Sequence, residues 1–348
     1  MKEYIIEEND TLKVLKSPEL NYIFSKKTGF SAVWGASEKD DPDYSPFGPF
    51  IVDMEITTIC KGPGGHLCPF CYKANTPNGQ YMSFDLFKQT FDKLPDTVQQ
   101  IAFGVDAQCT SNPYVWEIMS YCRNKGVIPN VTVADISDDT ADMLASLCGA
   151  VAVSRYTNKN FCYDSVKKLV DRGMKQTNIH QMISQETLHQ VWETLDDIIH
   201  CEPRLKGLNA IVFLSLKQKG RGTGYTPLSS GEFATIVNFC IRNNISFGFD
   251  SCSAPKFLES VKGHEQEEQF KVVAEPCEST RFSAYIDVSG NFIPCSFMPG
   301  VNGWDRGLSV PECNDFVRDI WNHERTTLFR DKCVSCMHDS KACQYFEV

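Results

Sequence analysis

Three cysteines lie close together early in the chain, and their spacing suggests a metal centre. Cys60, Cys68 and Cys71 fall within twelve residues, around a glycine- and proline-rich loop from Gly62 to Gly65. Structural zinc normally has four protein ligands, and catalytic zinc has three with water in the fourth position. An iron–sulfur cubane held by three thiolates instead leaves one iron free. Three thiols therefore indicate a centre with an open coordination position.

The elements that position these thiols are predicted from an alternation of strands and helices that begins near residue 50. Six βα units in series predict a parallel sheet with right-handed crossovers. Active sites of parallel α/β barrels lie at the carboxyl ends of the strands, and Cys60 follows the first strand directly. The predicted strands are 50–58, 100–105, 128–136, 150–156, 178–183, 209–216 and 245–250.

We therefore predict an α/β fold, a partial (β/α)6 TIM-like barrel over residues 50–252. Residues 1–49 form an N-terminal segment with a hairpin around Lys27-Thr28-Gly29 and a linker-like stretch at 38–49. Residues 253–348, where the alternation stops, form a small cysteine-rich C-terminal domain. Ser83 is the predicted N-cap of one helix, and Ser229 with Glu232 the predicted capping box of another.

The composition indicates a protein with a large core in a reducing compartment. The chain has 348 residues, 42% hydrophobic, with a mean hydropathy of -0.27 and a net charge of -10. The negative charge argues against general binding to nucleic acid or a membrane surface. Neither a membrane span nor a signal peptide is apparent, so we expect a cytoplasmic location. Disulfides rarely persist there, so clusters among the 16 cysteines indicate metal ligands or catalytic groups.

The strand before Cys60, the segment Cys68-Pro69-Phe70-Cys71-Tyr72 and the βα series resemble the radical SAM superfamily. The usual family motif has a shorter gap between its first two cysteines than the seven residues found here. The resemblance implies that Cys60, Cys68 and Cys71 bind a [4Fe–4S] cluster whose fourth iron chelates S-adenosylmethionine (SAM). It also implies that a one-electron donor such as flavodoxin or ferredoxin drives SAM cleavage to a 5′-deoxyadenosyl radical, which abstracts hydrogen from a substrate.

The same resemblance suggests further residues that would contact SAM. Gly104 and Asp106 follow the second strand, where the family has a Gly-Gly-Glu signature, and only the glycine matches. Ser154 and Arg155 end the fourth strand, where the family often has a serine and sometimes an arginine. Phe70 lies between the last two cysteines of the motif. A plain βα turn, and a turn serine beside a surface arginine, are the alternative interpretations.

A second group of cysteines occupies the C-terminal segment. Cys277 and Cys295 enclose a predicted hairpin with the turn Ser289-Gly290-Asn291, and three more cysteines follow. This arrangement resembles the SPASM and Twitch auxiliary-cluster domains of radical SAM enzymes, and the shorter Twitch type fits better. The resemblance implies one auxiliary [4Fe–4S] cluster. Its predicted ligands are Cys277, Cys295, Cys333 and Cys336, with Cys343 and Cys313 in reserve.

Zinc is the alternative at both cysteine groups. At the first, Cys60, Cys68 and Cys71 would be joined by His66. At the second, a Cys-x2-Cys pair does not by itself distinguish zinc from iron. The four zinc ligands there would be Cys333, Cys336, Cys343 and His338.

Other polar residues follow the later strands. Asp250 is a candidate for proton transfer, and Cys252 is either a ligand or an active-site thiol. One of His180 and Gln181 is expected to point into the barrel. A basic, glycine-rich loop follows the sixth strand and is expected either to bind an anion or to be a solvated turn. Its charged residues are Lys217, Lys219 and Arg221.

Three hypotheses for function follow. The first is a radical SAM enzyme that modifies a peptide or protein side chain, as many SPASM and Twitch relatives do. The second is a radical SAM dehydrogenase or rearrangement enzyme for a small molecule such as a sugar or nucleotide. The third is a zinc-stabilised, non-catalytic binding module, which leaves the βα series and the position of Cys60 without a purpose. RNA is disfavoured as a substrate by the acidic balance.

Overall fold

The N-terminal segment forms an antiparallel sheet of its own. The computed structural model describes residues 4–37, 40–339, 341, 343, 345 and 346, so residues 38 and 39 of the predicted linker lie outside it. The sheet has the order β1-β2-β3-β4. The predicted hairpin is confirmed, since β3 and β4 pair antiparallel on either side of Gly29. The strands are β1 (Ile5–Glu8), β2 (Leu12–Lys16), β3 (Asn21–Ser25) and β4 (Ser31–Trp34).

The main sheet carries the predicted parallel strands. Its seven strands from β5 to β11 are hydrogen-bonded in sequence order and all parallel, which confirms a mixed α/β fold with a parallel sheet. These strands are β5 (Ile51–Glu55), β6 (Gln100–Gly104), β7 (Ile128–Val133), β8 (Ala150–Ser154), β9 (Thr177–Ile183), β10 (Ala210–Ser215) and β11 (Phe247–Phe249).

Helices connect the parallel strands, and their predicted caps are present. The Ser83 hydroxyl accepts a hydrogen bond from Leu86 N at 3.2 Å, and Ser229 and Glu232 form the predicted capping box. Each cap satisfies an amide that the helix itself leaves unpaired. The helices are α1 (Phe84–Phe91), α2 (Val115–Asn124), α3 (Asp138–Leu147), α4 (Lys159–Asp171), α5 (Leu188–Ile199), α6 (Ser230–Arg242), α7 (Ala254–Ser260), α8 (Glu267–Val273) and α9 (Glu324–His338).

The C-terminal segment continues the main sheet. The predicted hairpin is present as β12 (Ser283–Ile286) and β13 (Asn291–Ile293), and β14 (Leu308–Ser309) pairs with β13. However, β12 also pairs in parallel with β5, and α7 packs against α6 across the boundary predicted at 252/253. The cysteine-rich segment is therefore joined to the βα core by a shared sheet.

The alternation of side chains along β5 separates the core from the site. Val52 and Met54 are fully buried in an apolar cluster that includes Phe87 of α1. Asp53 and Glu55 project from the opposite face, because successive strand residues point to opposite sides of a sheet. Among the described residues, no helix is both long and apolar enough to span a membrane.

Candidate functional site

The candidate site is a cavity of about 620 Å³ at the carboxyl ends of the parallel strands. Its wall includes residues of every strand from β5 to β10 and of β12, and Asp250 directly after β11. Residues at both ends of the parallel run of strands, near β5 and near β11, therefore line one cavity. Both cysteine groups also line the cavity. The chain therefore brings together residues that are more than 200 positions apart in sequence.

The first cysteine loop has a compact fold that depends on glycine. Gly62 N donates to the Cys60 sulfur at 3.3 Å, and a short helical turn follows at Pro63–Gly65. Gly62 has a φ of +74°, and a Cβ atom there would lie 1.8 Å from the carbonyl oxygen of His66. No side chain fits at that distance. The loop therefore holds Cys60 by a close backbone approach that only glycine permits.

Cys68 and Cys71 form an interacting pair. A hydrogen bond from Cys68 lowers the pKa of Cys71 to about 6, while the same interaction and burial raise the pKa of Cys68. The carbonyl of Cys68 also accepts a hydrogen bond from Cys71 N at 3.4 Å. A thiolate is the form of cysteine that binds metal. The interaction therefore favours the thiolate form of Cys71 over that of Cys68.

The first cysteine group supplies the kind of donor that an iron–sulfur cluster needs. Within the described residues, no three Cys, His, Asp or Glu side chains are placed to hold one metal ion. Nevertheless Cys60, Cys68 and Cys71 all line the cavity. Three thiolates that open into one cavity can hold a cubane and leave its fourth iron open to another ligand. The donor set is therefore compatible with an iron–sulfur cluster.

The histidines of both zinc alternatives lie outside the cavity wall. His66 is exposed at the end of the short turn that follows Gly62. The side chain of His338 is 61% exposed, and its Nε2 is 3.1 Å from the Asp43 carboxylate. Neither ring lines the cavity that the thiols share. Both four-ligand zinc sites would therefore need these histidines to move inward.

Phe70 is held between two tyrosine rings. It stacks on Tyr156 with ring centres 5.6 Å apart and meets Tyr225 edge-on at 5.8 Å. The Tyr156 hydroxyl interacts with both Ser154 and Cys68. These contacts fix the Cys-x2-Cys segment against the ends of β8 and β10. Phe70 therefore positions the thiols, and its predicted contact with SAM stays a prediction.

The basic loop after β10 fastens the two cysteine groups together. Arg221 donates to the carbonyls of Cys68 at 2.9 Å and Asn75 at 3.0 Å. Lys219 donates to the carbonyls of Phe297 and Pro299, both at 2.6 Å, just after Cys295. These two cations bind backbone carbonyls, which differs from both expectations for the loop. In the folded chain these carbonyls bind the N–H groups of Lys219 and Arg221, which would otherwise be free to bind an anion or water. We call these two residues the bracket, because they link the two cysteine groups.

We expect Arg221→Ala to destabilise the first cysteine loop. Two hydrogen bonds from a charged donor would be lost, so the free energy of unfolding should fall by about 2 kcal/mol. Urea unfolding would measure this effect. Arg242→Ala, at an exposed position in the last turn of α6, is the matched control and should change stability little. Equal stabilities of the two variants would contradict the bracket role.

Gly104 and Asp106 lie in the cavity wall, but the Asp106 carboxylate is already occupied. Its Oδ1 accepts hydrogen bonds from Thr110 N and Ser111 N at 2.9 Å and from the Ser111 hydroxyl at 2.7 Å. A Cβ atom on Gly104 would lie 3.2 Å from the Glu55 Cα, so glycine allows β5 and β6 to approach here. Both residues shape the wall, and their contact with SAM stays a prediction.

Ser154 and Arg155 also reach the cavity at the end of β8. The Arg155 side chain is fully buried and its guanidinium pairs with Glu193 of α5. Its Nε and Nη1 atoms are buried without a hydrogen-bond partner among the described residues. The surface-arginine alternative is therefore wrong, because Arg155 is buried. These two nitrogens, which carry three N–H bonds, are compatible with an anionic ligand and are covered in this conformation.

The second cysteine group combines the C-terminal hairpin with α9. Cys277 precedes β12, Cys295 follows β13, and the Ser279 hydroxyl links their segments by donating to the Pro294 carbonyl at 2.7 Å. Cys333 and Cys336 project from one face of α9, three positions apart. Cys343 lies beyond the helix and also lines the cavity. Cys313 is instead buried in the apolar core, away from the cavity wall, so its reserve role has no structural support.

The candidates after β11 belong to a buried ion-pair network. The Asp250 carboxylate pairs with Lys217 and accepts hydrogen bonds from Ser215 N at 3.2 Å and Ser253 Oγ at 2.5 Å. The carboxylate oxygens of Asp250 are occupied by these partners, and its role in proton transfer stays a prediction. The carboxylate positions Lys217, whose side chain is only 2% exposed. The neighbouring Cys252 lines the cavity beside the second cysteine group.

Several cavity residues were not found by sequence reasoning. Lys73 binds Glu55 with an Nζ–Oε1 distance of 3.3 Å and also donates to the Tyr285 hydroxyl. Tyr285 in turn donates to Glu55 Oε2 at 3.0 Å. Asp53 faces the same cavity and is exposed to it, and the surrounding protein desolvates its carboxyl in part and raises its pKa to about 6. The sequence signal for this group is the pair of acidic residues, Asp53 and Glu55, at alternate positions of the otherwise apolar strand β5.

His180 is the member of its pair that faces the cavity. Its Nδ1 lies 3.4 Å from the Thr132 hydroxyl, and burial lowers its pKa to about 4, so the ring is neutral near pH 7. Gln181 is buried on the other face of β9, where it donates to the Met182 carbonyl. His180 therefore offers the cavity a neutral hydrogen-bonding group.

Comparison with known proteins gives weak similarities. No family model and no curated protein matches the sequence. A structure titled BtrN in complex with AdoMet and 2-DOIA has a TM-score of 0.46 and 12% identity, over 86% of this chain and 93% of that one. The FeFe-hydrogenase maturase HydG from Carboxydothermus hydrogenoformans has a TM-score of 0.45 and 11% identity, over 70% and 59%. At these values neither similarity decides fold or function.

Proposed function

We propose that the protein is a radical SAM enzyme. The observation that carries the proposal is the position of Cys60, Cys68 and Cys71. These three thiols lie at the carboxyl end of the first parallel strand and open into a cavity that the later strand ends also line. A three-thiolate [4Fe–4S] cluster leaves one iron for another ligand. The cavity supplies space for that ligand and a substrate beside it.

The residues around the first cysteine loop would support this chemistry in different ways. The bound cluster would supply the electron that cleaves SAM to methionine and a 5′-deoxyadenosyl radical, after reduction by a donor such as flavodoxin or ferredoxin. Cys60, Cys68 and Cys71 would hold the cluster, and the bracket of Lys219 and Arg221 would hold both cysteine groups in place. Phe70 and its tyrosine neighbours would exclude water on one side of the loop.

For the substrate, we propose a peptide or protein side chain as the first candidate and a small polar molecule as the second. The second is favoured by the polar residues inside the cavity, where Asp53 has no hydrogen bond or ion pair among the described residues. Such a carboxylate suits an amine or hydroxyl group of a substrate. Transfer of deuterium from labelled candidates into 5′-deoxyadenosine would distinguish the two.

The cluster assignment is tested by reconstitution without any substrate. Anaerobically reconstituted protein should bind iron and sulfide, and its reduced form should give an electron paramagnetic resonance (EPR) spectrum that changes when SAM is added. This change requires a cluster with an iron open to SAM. A protein that binds zinc and no sulfide would contradict the proposal.

Asp53→Asn should make the protein more stable at neutral pH. Partial desolvation by the cavity walls raises the folded-state pKa of Asp53 from 3.8 to about 6, so near pH 5 the folded protein keeps a proton that the unfolded chain has released. Its contribution to stability is therefore present below about pH 4 and lost as the pH rises through about 6. We expect a gain of about 1 kcal/mol at pH 8, discounted because cavity solvent screens the charge.

The thermal stability of both proteins between pH 4 and pH 8 would measure this difference, which should vanish at the acidic end. Asp250→Asn is the matched control and should lose stability, because Asp250 pairs with buried Lys217. A destabilised Asp53→Asn protein at pH 8 would show that Asp53 has a structural partner.

A further inference from the structure

The outer side of β11 is a free strand edge. This strand pairs in parallel with β10 and with no other strand that the structure describes. Within the ladder, the carbonyl of Ser246 and the amide of Asp250 bond to β10. Because alternate residues of a strand direct their backbone groups to opposite edges, those of Phe247 and Phe249 point away from β10. An edge of this kind can pair with another extended chain.

A groove of about 500 Å³ runs along this free edge, and Phe247, Gly248 and Phe249 all line it. Successive side chains of a strand point to opposite faces of the sheet. A groove that meets three consecutive residues therefore lies along the edge of the strand and not on one of its faces. The rest of its apolar lining comes from α7 and α8 and consists of Phe257, Phe270 and Val273.

The groove leads into the central cavity and is acidic on that side. Ser251 and Glu278 line both the groove and the cavity, and Glu275 lines the groove. Neither glutamate has an ion pair or a side-chain hydrogen bond among the residues that the structure describes. Arg281 donates instead to two backbone carbonyls. The segment 256–278 around the groove has six acidic and three basic residues, so it attracts cations.

We propose that this groove binds an extended, basic peptide segment as an added strand on β11. The inference rests on the proposed function in taking a peptide or protein as the substrate. The backbone of the segment pairs with the free N–H and C=O groups of Phe247 and Phe249, as in other cases of strand addition. A small molecule without a peptide backbone would leave these groups unpaired.

The same geometry predicts the sequence pattern of the bound segment. Alternate side chains of an added strand point to opposite faces of the sheet. One set would contact the apolar lining from α7 and α8, and the other would point towards Glu278 and the cavity. Apolar and basic residues should therefore alternate. A basic side chain that passes Ser251 and Glu278 would enter the cavity, where Asp53 has no ion pair among the described residues.

Binding of a synthetic peptide to the reconstituted, full-length protein tests this surface. The probe is a fluorescently labelled peptide of alternating valine and lysine, about six residues long, and fluorescence anisotropy measures its affinity. Replacing its lysines with glutamates should weaken binding at least about tenfold, because the charges would then repel. Methylating alternate backbone nitrogens should have a similar effect, because it removes the donors that pair with β11.

Two neighbouring valines of α8 provide matched variants of the protein. Val272 is 79% exposed and Val273 is 69% exposed, and of the two only Val273 lines the groove. Val273→Arg would fill the groove and repel the lysines, so it should weaken binding of the probe at least about tenfold. Val272→Arg adds the same charge beside the groove and should change the affinity less than about twofold.

Hydrogen exchange with and without the probe measures the backbone pairing itself. The probe should slow exchange of the segment 246–250, which carries the free amides, and should leave β14, at the other edge of the same sheet, unchanged. Unchanged exchange of β11 would overturn the inference. So would a lysine peptide that does not bind, or equal weakening by the two arginine variants.

A second copy of the chain is the other occupant that the test detects. A dimer in sedimentation that Val273→Arg dissociates would assign the groove to self-association and overturn the inference. The binding measurements need no SAM. Release of 5′-deoxyadenosine therefore tests the proposed function separately, and failure of either result leaves the other to be judged alone.

Discussion

Replacing Cys71 with alanine should remove the SAM-binding cluster and with it all SAM cleavage. Cys71 has the lowered thiol pKa of the first cysteine group, and the remaining Cys60 and Cys68 are too few to retain a cubane. Anaerobically reconstituted protein should lose about four irons per chain, and 5′-deoxyadenosine should fall to the background level. Iron and sulfide assays with chromatography of the products measure both effects.

A matched control is available in the same chain. Cys240 is fully buried in α6 and belongs to the apolar core, away from the cavity wall. Cys240→Ala should therefore keep its iron and its activity and lose only some stability. If Cys71→Ala retained both iron and SAM cleavage, the first cysteine group would not be the catalytic centre.

Gly62→Ala should also remove the iron of the first centre, although it replaces none of the three cysteines. The new Cβ would lie 1.8 Å from the His66 carbonyl oxygen, and the φ of +74° disfavours alanine in any case. The turn that holds Cys60 would have to open, which would displace one of the three thiols. We expect the iron of the first centre to be lost while the second centre keeps its own.

Gly65→Ala is the control for Gly62→Ala, because it disturbs the backbone conformation without creating a close contact. Gly65 also has a positive φ, +81°, but no atom lies within 4 Å of the position of its Cβ. Its replacement should cost roughly 1–2 kcal/mol for the left-handed conformation and leave the cluster in place. Equal iron loss from both variants would show that the close contact with His66 is not the cause of the iron loss.

The sequence predicts the parallel sheet well because its signals are local. Apolar runs define β5 to β11, and short-range caps such as Ser83 and the Ser229–Glu232 pair define where helices begin. The order of the strands then follows from right-handed crossovers between neighbours. The cysteine spacing likewise identifies both thiol groups as candidate metal sites.

Features that depend on distant contacts are not predicted. The hairpin pattern of β12 and β13 says nothing about which strand β12 joins, and it pairs with β5 more than 220 residues earlier. α9, which carries Cys333 and Cys336, has no apolar stripe that would predict it. The bracket formed by Lys219 and Arg221 depends on carbonyl groups from two separate loops.

The roles of the polar groups in the cavity likewise cannot be predicted from the sequence. Asp53 and Glu55 become functional candidates only once Lys73 and Tyr285 are placed beside them. Cys252 resembles any other isolated cysteine until Cys277 is brought to it. In each case the sequence supplies the residue type, and tertiary structure supplies the partner that gives it a role.

The most direct test of the proposed function is release of 5′-deoxyadenosine from SAM. Native protein, purified and reconstituted without oxygen, would be given SAM and a strong reductant, with Cys68→Ala and Cys240→Ala proteins treated in parallel. We expect the native and Cys240→Ala proteins to release 5′-deoxyadenosine and the Cys68→Ala protein to release none. Release that is absent from all three, or equal in all three, would contradict a radical SAM centre at Cys60, Cys68 and Cys71.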